Sequence, residues 1–326
     1  MKAVLCKSFG PPESLTVEEV AAPALREKGV RVRVHAAGVN FPDLLIIQGK
    51  YQYKPEFPFS PGGEVSGEVL EVGPGVSRFK PGDRVVAGMT YGAFAEEVVA
   101  DEHRVLALPD HLDLSVAASV SLTYGTSAYA LIQRGQLQPG ETLLVHGAAG
   151  GVGLAAVEIG KVLGARVIAT AGSDEKLAVV AEHGADEVIN YSEGPFRDRV
   201  KELTGGNGAD VIYDPVGGDV FDQSLRCINW GGRLLVIGFA SGRIPEAPAN
   251  LALLKGCSIV GVFWGSWLTR GGDGNAQNMR QVFAWIGEGK LRPHISHRFP
   301  LDRASEALNA LVERRVIGKA IIEIGG

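Results

Sequence analysis

The segment 146–153, His-Gly-Ala-Ala-Gly-Gly-Val-Gly, has residue types and spacing that could hold an anionic ligand. It follows a short apolar run at 142–145 and precedes a helical pattern of apolar residues from Val152 to Leu163. Small residues permit a tight turn close to a pyrophosphate, and a helix N-terminus offers N–H groups to phosphates. We therefore predict a dinucleotide site with the pattern A-x-G-x-x-G at Ala148, Gly150 and Gly153. A glycine-rich packing turn is the alternative.

Composition argues against several other classes of function. The 326 residues carry a net charge of −5, which gives no electrostatic reason to expect a nucleic-acid partner. No stretch approaches the ~20 apolar residues that span a bilayer, and the N-terminus lacks the apolar region of a signal peptide. Cys6, Cys227 and Cys257 are scattered, without disulfide or metal-ligand spacing. We expect a cytoplasmic protein with no membrane partner.

The chain divides into three stretches with different sequence patterns, and these predict the helices and strands that position the segment 146–153. Residues 1–122 alternate short apolar runs with turn signals, which predicts a mostly antiparallel β domain. Strand and helix patterns then alternate from Leu143 to Phe263, which predicts a parallel sheet covered by helices. The last stretch offers two helices and a strand, too few for a domain. We predict an α/β chain in which a nucleotide domain, 123–264, is inserted into a domain formed by 1–122 and 265–326.

Three motifs at this spacing resemble the zinc-independent, zeta-crystallin-like quinone oxidoreductase branch of the medium-chain dehydrogenase/reductase superfamily. They are Ala37-Gly-Val-Asn-Phe-Pro-Asp43, Pro61-Gly-Gly-Glu-Val-Ser-Gly-Glu68 and the segment 146–153. The resemblance covers nearly the whole chain and implies a GroES-like β domain interrupted by a Rossmann domain. It also implies NADPH-dependent reduction of a quinone by a homodimer. For the dimer we name the edge strand Ser258–Phe263, whose unpaired backbone must be covered or paired.

The zinc-dependent branch of the superfamily holds its catalytic metal through cysteine and histidine side chains. By resemblance, those places are here Asn40, Gly63 and Thr123, none of which supplies a thiolate or an imidazole. We therefore expect no metal, and we expect Glu64 to remain as a buried structural partner.

The choice of cofactor follows from the end of the second strand of the nucleotide domain. An NAD site places an acidic residue there for the ribose hydroxyls. This chain has Ala171 and Gly172 instead, followed by Ser173 and Lys176, which can bind a 2′-phosphate. We predict NADPH; the alternative is that Lys176 is solvated and Asp174 binds the ribose of NAD.

The cofactor-binding residues combine the glycine turn with positions that the resemblance adds. Most positions outside the glycine turn and the segment 171–176 rest on the resemblance alone. The predicted set is Ala149, Gly150, Gly151, Val152, Gly153, Gly172, Ser173, Lys176, Tyr191, Phe239, Phe263, Arg315 and Lys319.

Hydride transfer without a metal requires an acceptor that is intrinsically electrophilic, such as a quinone or an enone. By resemblance, Asn40, Tyr51 and Thr123 are the catalytic positions, and each can hydrogen-bond a carbonyl oxygen as charge develops. Tyr51 is the best proton donor, and Asn40 alternatively fixes a turn or the nicotinamide carboxamide. The rival functions are an enone or enoyl thioester reductase, and an NADPH-binding structural or regulatory protein with little turnover.

Overall fold

The computed structural model describes residues 1–325. It divides the chain into two units, one formed by Met1–Leu122 with Pro293–Gly326 and the other by Thr123–Arg292. The glycine-rich segment therefore lies in the second unit, and Asn40 and Tyr51 lie in the first.

Up to residue 120 the first unit is mainly β structure. Its strands are β1 (Lys2–Leu5), β2 (Thr16–Glu19), β3 (Gly29–Val39), β4 (Glu64–Val72), β5 (Arg84–Gly88), β6 (Glu97–Asp101) and β7 (Val105–Ala107). Two short helices accompany them, α1 (Phe41–Ile47) and α2 (Leu114–Ala117). In β3, Val30, Val32 and Val34 are buried while Arg31 and Arg33 are not, the alternation expected of a strand with one face on a core.

The second unit alternates helices and strands. Its helices are α3 (Ser121–Ala128), α4 (Gly151–Val162), α5 (Asp174–Glu182), α6 (Phe196–Leu203), α7 (Asp219–Cys227), α8 (Ala249–Lys255), α9 (Trp264–Arg270) and α10 (Gly274–Gly287). Its strands are β8 (Thr142–Val145), β9 (Arg166–Ala171), β10 (Glu187–Asn190), β11 (Ala209–Asp214), β12 (Ile228–Val236) and β13 (Ser258–Gly261). They form one parallel sheet in the order β10-β9-β8-β11-β12-β13. This is the doubly wound arrangement expected of a dinucleotide-binding unit.

The chain then returns to the first unit with β14 (Ile295–Pro300), α11 (Ala304–Val312) and β15 (Lys319–Glu323). The large sheet of that unit has the order β14-β15-β3-β4-β5-β7, and β6 also pairs with β3. Because β15 pairs antiparallel with β3, Ala320 lies opposite Val39. This pairing places Lys319 beside the start of α1.

The second boundary between the units differs from the prediction. We expected the return at residue 265, whereas residues 265–292 belong to the second unit. Gln133 and Asn278 exchange two hydrogen bonds of 2.9 and 3.0 Å, and the rings of Tyr129 and Trp267 stack at 4.3 Å. The sequence predicts the helix α10 but does not show which unit packs against its apolar face. The strand β14 was not predicted.

The longest helix, α10, has 14 residues. Within residues 1–325 no helix combines the length and the apolar character that a membrane crossing requires.

Candidate active site

The glycine-rich turn joins β8 to α4 in the second unit. Gly147 has a φ of +54°, and Gly150 is the residue before the first helical position. A Cβ at Gly153 would lie 2.8 Å from the Cα of Ala148 and would collide with the carbonyl oxygen of Gly147. Glycine is therefore required for the first turn of α4 to pack on the preceding loop. The geometry fits a pyrophosphate at the helix N-terminus, where N–H groups lack helical partners.

His146, directly after β8, joins β9 and α7 through its two ring nitrogens. Its Nδ1 is 2.9 Å from the Thr170 hydroxyl and its Nε2 is 2.9 Å from the Ser224 hydroxyl. Since Ser224 donates its own proton to the carbonyl of Val220, Nε2 must carry the imidazole proton and Nδ1 must accept. Burial lowers the pKa of His146 to about 3, so the ring is neutral. His146 is a positioning residue that the sequence analysis did not single out.

The end of β9 provides the second part of the cofactor site. The strand ends at the buried Ala171, and no acidic side chain follows until Asp174. Ser173 caps α5, its hydroxyl accepting the backbone N–H of Lys176 at 3.4 Å. The Tyr191 ring lies over Gly172, where a Cβ would be 3.1 Å from the phenol oxygen.

Asp174, which we considered as the ribose ligand of an NAD site, has another partner. Its Oδ1 accepts a 2.8 Å hydrogen bond from the side-chain amide of Asn190. The carboxylate is therefore directed toward the end of β10.

The aromatic residues assigned to the cofactor site have different surroundings. Phe263 precedes α9 and is 55% exposed, and Phe239 is 37% exposed and packs against Gly217. Trp264, which follows Phe263 and is not among the assigned residues, donates its indole N–H to Asn275 and packs against Gly125.

The two basic residues assigned to the cofactor from the C-terminal stretch both belong to the first unit. Arg315 is exposed and forms an ion pair with Glu313. Lys319, in contrast, is only 5% exposed. Its ammonium donates to the Glu64 carboxylate at 2.9 Å, to the Asn40 side-chain oxygen at 2.5 Å and to the Val39 carbonyl at 3.1 Å. All three N–H bonds are used, so the prediction that Lys319 binds the cofactor is corrected.

We call Lys319, Glu64 and Asn40 the buried ion-pair cluster. Glu64 is 1% exposed, and its second oxygen accepts the backbone N–H of Leu122 at 2.8 Å. A Cβ at Gly38 would collide with that carboxylate, so the glycine next to Val39 gives Glu64 its space. As expected, Glu64 is a buried structural partner.

The cluster also decides what Asn40 can do. Its amide nitrogen donates to Glu64 at 2.9 Å and to the Gly38 carbonyl at 3.3 Å, while its oxygen accepts from Lys319. Both amide N–H groups are thus used inside the first unit. The hypothesis that Asn40 donates to the acceptor carbonyl or to the nicotinamide carboxamide is corrected. Asn40 orders the start of α1 instead.

Asp43 and Tyr51 lie near this cluster. Asp43 is 3% exposed and its Oδ2 accepts the backbone N–H of Asn40 at 2.8 Å. Burial raises the pKa of Asp43 to about 7, against opposing contributions from this hydrogen bond and from Lys319. Tyr51 is half-buried, and its burial, with a smaller contribution from Asp43, raises the pKa of its phenol. Tyr51 is therefore a neutral O–H donor at physiological pH.

The remaining places where the zinc-dependent branch has ligands carry no ligand side chains here. Gly63 offers a backbone carbonyl that is already bonded to the N–H of Met89 at 2.8 Å. Thr123 is buried on α3 of the second unit. Within residues 1–325 no group of three or more His, Cys, Asp or Glu side chains is arranged to hold a metal ion.

Besides His146, two residues of the site have roles that were not predicted from the sequence. Asp43 carries a local signal, because an Asn followed three residues later by an acid is typical of a helix start. Lys319 carries none, since its partners Asn40 and Glu64 are 279 and 255 residues away in the chain.

Comparison with known proteins agrees with this architecture. The model of the alcohol dehydrogenase GroES-like domain matches residues 26–110, and that of the zinc-binding dehydrogenase matches residues 151–286. A GroES-like β unit that is interrupted by a parallel dinucleotide-binding unit defines a medium-chain dehydrogenase/reductase.

Individual relatives are more specific. The quinone oxidoreductase-like protein 2 homolog of Nematostella vectensis is 44% identical over 98% of this chain and 88% of its own length. The Escherichia coli quinone oxidoreductase, solved as a complex with NADPH, has a TM-score of 0.92 and 30% identity, covering 99% of this chain and 100% of that one. A 2-haloacrylate reductase structure has a TM-score of 0.87 and 30% identity, with 99% of each chain covered. The chain belongs to the zinc-independent quinone oxidoreductase family.

Proposed function

We propose that this protein transfers a hydride from NADPH to a quinone without a metal ion. The proposal depends on two features of this chain. The dinucleotide turn is intact. Asn40, at a position where the zinc-dependent branch has a metal ligand, accepts a hydrogen bond from the ammonium of Lys319. An ammonium whose three N–H groups all donate to protein oxygens has none left to polarise an acceptor carbonyl.

The residues at the end of β9 support NADPH over NADH. Because β9 ends at Ala171, no acidic side chain stands at the strand end itself to bind the ribose hydroxyls or to repel a 2′-phosphate. The Ser173 hydroxyl accepts from a backbone N–H, so its own proton is available for a phosphate oxygen. Lys176 lies in the first turn of the same helix and adds a positive charge near Ser173.

NADPH, when bound, supplies the hydride. The protein must then hold the acceptor in position and provide a proton. Of the three side chains assigned to catalysis, Tyr51 is the one whose neutral phenol we assign as the donor, since the amide of Asn40 is fully used. Thr123 remains assigned to the acceptor, to orient its carbonyl. A quinone is the acceptor that needs least from these groups, because its reduced form is a stabilised oxyanion.

The second candidate is reduction of an activated alkene. Its support is the similarity to a reductase whose name denotes a 2-haloacrylate substrate. The decisive assay follows NADPH oxidation with a quinone, an enone and an enoyl thioester side by side, with and without prolonged chelation. Turnover of the quinone that survives chelation, with no stoichiometric zinc by elemental analysis, supports the proposal. Turnover restricted to the alkenes would move the assignment, and no turnover would favour the structural or regulatory alternative.

We further infer a homodimer through β13, the edge strand of the second unit. Ile259 on that strand is 37% exposed, and large apolar side chains on neighbouring elements are still more exposed, with Trp230 at 74%, Leu253 at 78% and Leu254 at 67%. A strand edge with unpaired backbone N–H and C=O groups, next to exposed apolar side chains, favours association with a second chain that buries both. Ile259→Lys should convert a dimer to a monomer in analytical ultracentrifugation. Val188→Lys on β10, the opposite edge of the sheet, is the matched control. A monomeric wild type at micromolar concentration would overturn the inference.

We also infer a cytoplasmic location. The three thiols, Cys6, Cys227 and Cys257, are free, as expected in a reducing compartment. Cell fractionation tests the inference directly.

A further inference from the structure

Two buried hydrogen bonds join α3 to α4 within the second unit. The Tyr124 hydroxyl donates to Glu158 Oε2 at 2.6 Å, and the Ser127 hydroxyl donates to the Val152 carbonyl at 2.8 Å. Tyr124 and Ser127 are three residues apart in the chain, so they lie on one face of α3. Val152 and Glu158 belong to α4, the helix that begins at the dinucleotide turn. This face of α3 is thus bonded to the cofactor helix both in its first turn and further along.

Glu158 needs the Tyr124 hydroxyl because its carboxylate is deeply buried, with the residue only 3% exposed. Its other oxygen lies 2.7 Å from Nδ1 of His183 and accepts the backbone N–H of Arg292 at 3.0 Å. A buried carboxylate is stable only when it is paired or multiply hydrogen-bonded. Burial, with a smaller contribution from Glu158, raises the pKa of Tyr124 well above its ordinary value. The phenol therefore keeps the proton that it donates.

Ser127 has a second buried partner in the parallel sheet. Its oxygen lies 2.8 Å from the Tyr213 hydroxyl, and both residues are fully buried. Because Ser127 gives its only proton to Val152, the Tyr213 O–H must donate to Ser127. Tyr213 lies on β11, which pairs with β8, the strand before the dinucleotide turn. Ser127 therefore connects α3 both to the first turn of α4 and to the centre of the sheet.

We propose that Tyr124 and Ser127 are positioning residues, whose bonds to Glu158 and Val152 make α3 and α4 open and close as one body. NADPH bound at the dinucleotide turn then also orders Thr123, the residue before Tyr124. The assignment of Thr123 to the acceptor carbonyl rests on the proposed function. Both hydroxyls keep their protons throughout the reaction and act through the position of α3. The cofactor should bind before the acceptor, because it orders the helix that orients the acceptor.

The first test is hydrogen exchange with and without NADPH, which requires no turnover. A ligand at about 100 times its dissociation constant slows exchange about a hundredfold wherever opening destroys its site. In the wild type we expect this slowing at residues 154–157 of α4 and equally at residues 125–128 of α3. Slowing in α4 without slowing in α3 would overturn the proposal. Without slowing in either helix NADPH does not bind, which would overturn the proposed function and this inference with it.

The double variant Tyr124→Phe with Ser127→Ala removes the two hydroxyls and keeps the ring. Its α3 amides should exchange by local opening, faster than those of β8, and NADPH should no longer slow them. Residues 154–157 should keep the full slowing. His183→Leu is the matched control, because it removes a different donor from the same carboxylate, directly after α5, and should leave the slowing in α3 unchanged.

Slowing in α3 that persists in the double variant would overturn the proposal. If the double variant does not fold, Tyr124→Phe alone decides, since it removes one O–H and leaves the other two donors to Glu158 in place. Tyr124→Phe must then show less slowing in α3 than His183→Leu. Equal slowing in these two variants would also overturn the proposal.

The second test separates the acceptor from the cofactor. In the double variant the KM for a quinone should rise about two- to tenfold, the worth of one neutral hydrogen bond such as that assigned to Thr123. The dissociation constant of NADPH should stay as in the wild type, because the dinucleotide turn is unchanged. Weaker NADPH binding with an unchanged KM for the quinone would show that the two contacts hold only the turn, and would overturn the proposal.

Discussion

Replacing Lys319 by Met tests the buried ion-pair cluster most directly. The side chain is 5% exposed and Glu64 is 1% exposed, so removing the ammonium leaves a carboxylate in the interior without a cation. Methionine keeps most of the volume and supplies no donor, so contacts at 2.5, 2.9 and 3.1 Å are lost together. Breaking one partner out of a buried pair costs about 3–5 kcal/mol. We expect the first unit to lose that much of its free energy of unfolding.

A second substitution shows whether charge or packing is responsible. In Lys319→Met with Glu64→Gln the uncompensated charge is gone. The new amide oxygen can accept the Leu122 N–H, and its NH2 group can donate to the side-chain oxygen of Asn40 once the Asn40 amide turns over. Buried pairs replaced by neutral groups are often as stable as the originals, so the double variant should recover most of the loss. Recovery of less than about 1 kcal/mol would refute the electrostatic argument.

The measurement must report each unit separately, because two units need not unfold together. All four tryptophans lie in the second unit, so their fluorescence reports that unit and serves as the internal control. Hydrogen exchange of the amides of β3, β4 and β15 reports the first unit. If Lys319→Met leaves these amides as protected as in the wild type, the cluster does not stabilise the fold. The ratio of NADPH to NADH dissociation constants should not change, since Lys319 is not a phosphate ligand.

Four further outcomes follow from the site. Lys176→Ala should weaken NADPH by about ten- to a hundredfold and NADH little, because one charge-assisted hydrogen bond is worth about 1.5–3 kcal/mol; equal losses in titration calorimetry would remove Lys176 from the phosphate site. Tyr51→Phe should lower quinone turnover modestly and enone turnover by about 10²-fold or more, because only the enolate carbon needs a placed acid. Gly153→Ala should abolish dinucleotide binding by forcing its Cβ into the Gly147–Ala148 backbone, whereas Gly88→Ala, where a Cβ meets nothing within 4 Å, should bind normally. Because the pKa of Asp43 is raised to about 7, its contribution to stability is complete below about pH 4 and is lost as the pH rises through 7; Asp43→Asn should remove up to about 4 kcal/mol of that dependence in urea unfolding.

Local patterns account for the parts of the fold that were predicted from the sequence. The alternation of short apolar runs with helical periods predicts the parallel sheet, and the small residues at 147–153 predict the turn before α4. In both cases the sequence pattern lies within about a dozen residues of the element that it predicts. The surroundings of 265–292 could not be predicted in this way, since they depend on which surface the apolar face of α10 meets.

The candidate site shows the same division. Residue types indicate what Asn40 and Lys319 can donate, but only the three-dimensional contacts show that these donors are already used. A hydrogen-bond donor that already has a partner inside the protein is not available to a ligand. The sequence motif is the same whether or not the donor has such a partner, so the motif alone does not predict its availability. Contacts that join residues more than 250 positions apart leave no local pattern to read.

The lack of thiolate and imidazole side chains at Asn40, Gly63 and Thr123 also limits which acceptors the proposed reaction can use. A catalytic zinc keeps one coordination position open and polarises a carbonyl placed there. The ammonium of Lys319 has three N–H groups, and the chain directs each of them to a protein oxygen. Its charge is paired with Glu64, and no N–H group remains to polarise an acceptor carbonyl. Unactivated ketones and aldehydes should therefore be poor substrates, and an acceptor must bring its own electrophilicity and need only a proton from Tyr51.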